Sequence, residues 1–207
     1  MGGRQRRVAA TFLYKDSTVA GKTFNLADPH WGHEKIWSPR GFSSMQEHDD
    51  VIMGSCIETL GRGDTLILGG DICFQGGSYL DDLVARHLPN KFSKGRSFTV
   101  RNTMGNHDKM RLQNVEFIDT HHAYVTKVVK IGDQKVSVIC SHIPVHPTEL
   151  SINGGRWDVN IHGHKHDETL DQPQYQNACW ERHTRPVLID ELVCHYLDSI
   201  KLVKFLE

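Results

Sequence analysis

Thr65-Leu66-Ile67-Leu68-Gly69-Gly70-Asp71 is a β-rich run that stops at two glycines and a carboxylate. A short apolar run bounded by turn residues reads as a strand covered on both faces, with Asp71 at its carboxyl end. The same plan recurs on either side. Residues 23–28 (TFNLAD) lead into Asp28-Pro29-His30, and residues 97–108 (SFTVRNTMGNHD) end in Gly105-Asn106-His107-Asp108. Residues 135–142 (KVSVICSH) end in His142, and residues 159–164 (VNIHGH) continue through His164 to His166. Gly132-Asp133, inside residues 123–134, predicts a hairpin turn into the 135–142 run.

Helix signals fill the intervals. Ser44-Met45-Gln46-Glu47 is a capping box, followed by Ile52, Cys56 and Leu60 at helical spacing and a stop at Gly61. Leu80, Leu83, Val84, His87 and Leu88 form a second amphipathic stripe ended by Pro89. A third helical run, Asp190 to Ile200, follows Pro186-Val187-Leu188-Ile189. Strands alternating with helices, then a hairpin and further strands, predict a mixed α/β chain. No repeat, low-complexity tract or linker divides the 207 residues, so one domain over 1–207 is expected.

Composition excludes several classes. With 38% hydrophobic and 24% charged residues the chain has an ordinary globular composition, not a disordered, collagen-like or coiled-coil one. The 24 Lys and Arg balance 25 Asp and Glu, so a strongly basic nucleic-acid footprint is absent at whole-chain level. No apolar run approaches the roughly 18 residues of a membrane span. The opening Met1-Gly2-Gly3-Arg4-Gln5-Arg6-Arg7, then VAATFLY, lacks a cleavage site and carries Arg6 where myristoylation wants Ser or Thr. It reads as a first strand of a cytoplasmic protein. The five cysteines are odd in number, widely spread and never C-x-x-C, which predicts reduced, packed thiols without a disulfide framework or zinc knuckle.

Histidine is the informative residue, with 14 copies, many of them beside Asp, Asn or Gly. In open α/β sheets ligands bind just beyond the carboxyl ends of strands, where these clusters fall. Carboxylate, amide oxygen and imidazole donors suit borderline divalent transition metals, and the supply exceeds one ion's roughly four to six positions. Two ions sharing a carboxylate fit the set. Side chains two apart on an extended segment share a face, so His162, His164 and His166 are expected to converge. Each piece alone has a plainer reading, a solvated histidine tract or a Gly-Asn-Asp turn. Five clusters at successive strand ends leave little room for those.

In these residues the chain resembles the calcineurin-like metallophosphoesterases, whose five blocks run D-x-H, G-D, G-N-H-[DE], H and G-H-x-H. All five occur here in order across residues 28–166, about two thirds of the chain. More narrowly it is similar to small single-domain bacterial and viral phosphoesterases. Asp28-Pro29-His30-Trp31-Gly32-His33, Pro39-Arg40-Gly41-Phe42, and Asn177-Ala178-Cys179-Trp180 with Arg185-Pro186 carry that likeness. Gly69 stands where that group more often has leucine. The resemblance implies an α/β/β/α sandwich of two mixed sheets flanked by helices. It puts Asp28, His30 and His166 on one metal, Asn106, His142 and His164 on a second, and Asp71 between them.

Two cations about 3.5–4 Å apart can hold a phosphoryl oxygen and lower the pKa of a bridging hydroxide's parent water for in-line attack. His107, next to Asn106 and titrating in the right range, is the expected general acid, as the resemblance also implies. Asp108 has two readings, an acceptor orienting a ligand histidine or a cap of the next helix. His33, Arg40 and His162 are the candidate substrate contacts; Arg40 is read either as a bidentate phosphate ligand or as a solvated arginine. His33 and His162 are equally open to a structural role. The expected cofactors are two divalent ions (Mn, Fe, Zn, Ni or Co, with Mn favoured). The expected substrate is a small-molecule or nucleotide phosphoester, diesters ahead of monoesters. A phosphoesterase fold kept as a binding scaffold and a nuclease are the alternatives. A metallo-β-lactamase-like enzyme would need H-x-H-x-D-H, which is absent.

Overall fold

The structure is a computed structural model that describes residues 21–88, 97–108, 112 and 114–206. The strand expected over residues 8–14 and the helix stop at Pro89 lie outside the described residues. β1 (Thr23–Leu26), β2 (Thr65–Leu68) and β3 (Thr99–Thr103) form where the β-rich runs predict them. They lie parallel with β4 (Thr120–His122), and β9 (Val187–Leu188) joins antiparallel, giving the order β4-β3-β2-β1-β9.

The crossovers between the first three strands are α1 (Met45–Thr59) and α2 (Gly77–His87). Ser44 caps α1 by accepting the Glu47 N–H. The return arm of the capping box lands one residue early, because the Glu47 carboxylate accepts from Ser43 N at 2.6 Å. Ile52, Met53 and Cys56 of α1, with Leu80, Leu83 and Val84 of α2, pack on Leu26, Leu66, Leu68 and Val100.

The second sheet has the order β5-β6-β7-β8. β5 (Tyr124–Ile131) and β6 (Gln134–Ser141) are the predicted hairpin; β7 (Val159–His162) and β8 (Tyr175–Asn177) follow parallel to β6. Ile67 of β2 points opposite to Leu66 and Leu68, into a second core with Val138, Cys140, Val159 and Ile161. That alternation leaves β2 apolar on both faces. A short helix α3 (Trp180–His183) precedes β9, and α4 (Ile189–Leu206) adds Leu192, Val193 and Tyr196 to the core between the sheets.

The fold is therefore the expected α/β arrangement, two mixed sheets flanked by helices, compatible with an α/β/β/α sandwich. Over the outward side of β7 lie two 3-10 turns, Pro147–Glu149 and Ser151–Asn153, in a segment tied down by Val145 N–H donating to Asn160 Oδ1. Backbone bonds join the ends of the two sheets: Ala27 N to Ala178 O at 2.9 Å, and Ala178 N to His162 O at 2.8 Å. The carboxyl ends of β1, β2, β3, β6 and β7 thereby open onto one place.

Candidate metal centre

The residues just past those strand ends adopt an unusual backbone. Asp28, His30, Asp71, His164 and His166 all have positive φ between 49° and 68°. For an L-residue each such position costs on the order of 1–2 kcal/mol, a cost the surrounding structure must offset. The left-handed turns swing successive side chains to one side, against the alternation of a strand.

Two groups result. Asp28, His30 and His166 bring one ligand atom each within 4.8 Å of one another, and so do Asp71, His142 and His164. His30 Nε2 is 3.4 Å from Asp28 Oδ1 and His166 Nε2 is 3.9 Å from the same oxygen. In the second group His142 Nε2 is 3.5 Å from Asp71 Oδ2 and 2.8 Å from Asn106 Oδ1. Asp71 Oδ2 is also 3.9 Å from His30 Nε2, so one carboxylate oxygen faces both groups.

These groups could hold a metal ion, and their hydrogen bonding fits one. His142 Nδ1 lies 2.8 Å from Gly69 O, an acceptor only, so Nδ1 carries a proton. In the neutral ring the Nε2 lone pair then faces Asn106 Oδ1 and Asp71 Oδ2, three acceptors around one point. A cation satisfies such a set, and every member is an oxygen or imidazole nitrogen. A side-chain carbon at Gly69 would stand 2.5 Å from the Ala27 Cβ, which explains why leucine is not found at this position.

The electrostatics run the same way. Burial of Asp28 opposes its charge, yet the His30 hydrogen bond, nearby His142 and the His164 N–H at 2.7 Å hold its carboxyl below the usual range. Burial lowers His30 despite the neighbouring Asp28. His166 is raised, chiefly by its 2.7 Å hydrogen bond to Glu181.

His107 is exposed beside the second group, its ring 5.2 Å from that of Phe74, and its backbone N–H donates to Asp71 Oδ1 at 2.8 Å. His33 sits half-buried at the rim, stacked 5.7 Å from His30 and edge-on to Phe74 at 4.5 Å. Its Nδ1 accepts from Lys35 N and Ile36 N, which leaves the ring proton on Nε2.

Three expectations are corrected. Arg40 is neither a phosphate ligand nor a solvated arginine: its side chain is 4% exposed and all five of its N–H groups are engaged. Nε and Nη2 donate to Glu181 Oε1, Nη2 also to Asp28 O, and Nη1 to Pro29 O and His48 Nε2. His162 does not converge with His164 and His166, because β7 ends at His162 and the next residues leave the extended conformation. Its Nδ1 donates to Gly163 O and its Nε2 is buried without a partner, so its ring is held inside the fold and not at the open rim. Asp108 orients no ligand ring among the described residues; its oxygens accept from the backbone of Asp71, Ile72 and Gly105, clamping two strand-end loops together, and the helix it was expected to cap lies outside the described residues.

Sequence reasoning passed over Glu181, His48, Asp49 and Cys179. The Cys179 thiol donates to Asp28 Oδ2 at 3.3 Å. His48 and Asp49 carried a signal, since they fall at the same helical spacing as Ile52, Met53 and Cys56 on the buried side of α1. Glu181 directly follows the Asn177–Trp180 segment but has no pattern of its own.

No protein-family model and no curated protein matches the chain. Among solved structures it is similar in fold to AQ665, a protein of unknown function from Aquifex aeolicus. That likeness has a TM-score of 0.60 at 20% identity, over 83% of this chain and 97% of the other.

Proposed function

We propose that this chain is a dinuclear-metal-dependent phosphoesterase of the calcineurin-like kind, acting on phosphodiesters in preference to phosphomonoesters. The observation that carries the reading is Asp71 Oδ2, at 3.9 Å from His30 Nε2 and 3.5 Å from His142 Nε2, between two groups of ligand type. Asp28, His30 and His166 would hold one divalent ion, Asn106, His142 and His164 the other, with Asp71 shared. When bound, the ions would supply Lewis-acid polarisation of a phosphoryl oxygen and a water nucleophile competent at neutral pH.

The rest is the chain's own work. The His107 N–H fixes one Asp71 oxygen and leaves the other for the shared position. The His107 imidazole, exposed beside ligand-type Asn106, would be the acid that protonates a departing oxygen. An open groove of about 430 Å³ lined by Gly32, His33, Glu34, Lys35, Phe74 and Gln75 adjoins it and would receive part of the substrate, with His33 in contact. A groove of about 560 Å³ along α4 carries no group of three converging ligand atoms among the described residues. An all-N/O donor set accepts Mn, Fe, Zn, Ni or Co, of which we favour Mn. The five free cysteines support a reducing compartment, in keeping with a cytoplasmic protein.

The test is hydrolysis of bis(p-nitrophenyl) phosphate and p-nitrophenyl phosphate by metal-stripped protein before and after Mn²⁺ is restored. Metal-dependent turnover dominated by the diester is expected. Silence on both with two ions bound overturns the reading in favour of a binding scaffold.

A further inference from the structure

His166 is the partly exposed member of its group, its side chain 33% accessible and its ring edge-on to His30 at 4.9 Å. A histidine can present either nitrogen to an ion, and the hydrogen bond made by the other nitrogen decides which. His166 Nδ1 donates to Glu181 Oε1 at 2.7 Å, which turns Nε2 toward Asp28. We propose that Glu181 is the positioning residue of His166, and that a buried chain through Arg40, His48, Asp49 and Tyr79 holds Glu181 in register. This rests on the metal-binding reading above.

The chain is continuous. Glu181 Oε1 accepts three bonds, from His166 and from Arg40 Nε and Nη2 at 2.9 and 2.6 Å. Arg40 Nη1 donates to His48 Nε2 at 2.9 Å, so the His48 proton sits on Nδ1, which donates to Asp49 Oδ1 at 2.6 Å. Asp49 Oδ2 accepts the Gly32 N–H at 2.7 Å and the Tyr79 hydroxyl at 2.6 Å. His48 and Asp49 are wholly buried, and every proton in the series has one assignable place.

Arg40 does two things at once. It pairs with the Glu181 carboxylate, and it binds the Asp28 and Pro29 carbonyls, the backbone that presents Asp28 and His30. Residues 40 and 181 are thus joined across the first group of ligands. The arrangement is the carboxylate–histidine pairing that fixes a ligand's tautomer and raises its basicity, with partners whose loss typically costs about 10–100-fold in metal affinity. Glu181 Oε2 makes no hydrogen bond among the described residues, so a glutamine can keep its oxygen at Oε1.

The experiment compares Mn²⁺ binding by calorimetry, on metal-stripped full-length protein, for the wild type, Glu181→Ala and Glu181→Gln. Nitrogen-15 NMR of the metal-free proteins, taken at a pH where the His166 ring is neutral, reports which nitrogen is protonated. We expect Nδ1–H in the wild type, loss of that signal and about 10–100-fold weaker first-ion binding in Glu181→Ala, and recovery of both in Glu181→Gln. Unchanged affinity in folded Glu181→Ala overturns the proposal. A wild-type ring protonated on Nε2 overturns it without any variant. A wild type that binds no Mn²⁺ instead sinks the metal reading itself, so the two failures are told apart.

Discussion

The backbone N–H of His107 donates to Oδ1 of Asp71 at 2.8 Å, which ties the candidate acid to the candidate shared ligand through the main chain. The His107 imidazole takes no part in that bond. His107→Ala therefore keeps metal content intact while turnover falls by roughly 10²–10⁴-fold, most for poor leaving groups. Metal analysis with a leaving-group series checks this, and equal losses on good and poor leaving groups count against the acid role.

Asp71→Asn retains an oxygen for the His107 N–H but sets an amide NH₂ where Oδ2 faced His30 and His142. Both ions lose the shared charge, and stoichiometry by elemental analysis is expected to fall from two ions per chain to one or none. Normal stoichiometry removes Asp71 from the shared position.

Asp108 accepts backbone N–H groups from Asp71 at 3.1 Å, Ile72 at 2.8 Å and Gly105 at 2.9 Å. In Asp108→Asn one of the two oxygens becomes a donor facing a donor. Leaving such buried groups unmatched costs about 1–3 kcal/mol, readable by urea unfolding of the metal-free protein. Metal affinity should fall too, because the clamp spans the loops carrying Asp71 and Asn106. An unfolding midpoint equal to wild type would show that the clamp is dispensable.

Five histidines, His30, His33, His121, His162 and His183, are held below their ordinary range, first of all by burial. As pH falls through about 6.5 the unfolded chain takes up protons that these folded sites resist. Their stability contribution is full above that pH and is lost below it. His166, raised by Glu181, has the opposite sign: its contribution is present below about 6.5 and lost as pH rises through its folded value. Five against one predicts a melting temperature of metal-free protein that drops between about pH 7.5 and 5.5. His162→Gln, which removes one of the five and no member of either ligand group, should flatten the drop. A melting temperature that holds or rises on acidification refutes the assignment.

How much could be read in advance follows from the range of the forces concerned. Strand runs 23–28, 65–71, 135–142 and 159–164 showed themselves because both faces of a sheet demand apolar residues in a short span. Ser44 and Gly61 marked the bounds of α1 by local capping and turn chemistry. β4, β8 and β9 left no such mark: they are two or three residues long and exist through pairing with strands distant in the chain.

The α/β plan, the order of the strand-end clusters and the ligand types they offer were legible in the residues alone, because those depend on neighbours within a few positions. Tertiary structure decided which of the polar residues face the centre. Arg40 has the right charge for a phosphate, but Glu181, 141 positions away, and the Asp28 and Pro29 carbonyls occupy its guanidinium. His162 has the same spacing as its neighbours, yet left-handed backbone at His164 and His166 turns those two aside and leaves it behind. A side chain's role at a buried site is set by which donors and acceptors the folded chain leaves unmatched, and that is a property of the whole packing rather than of any one segment.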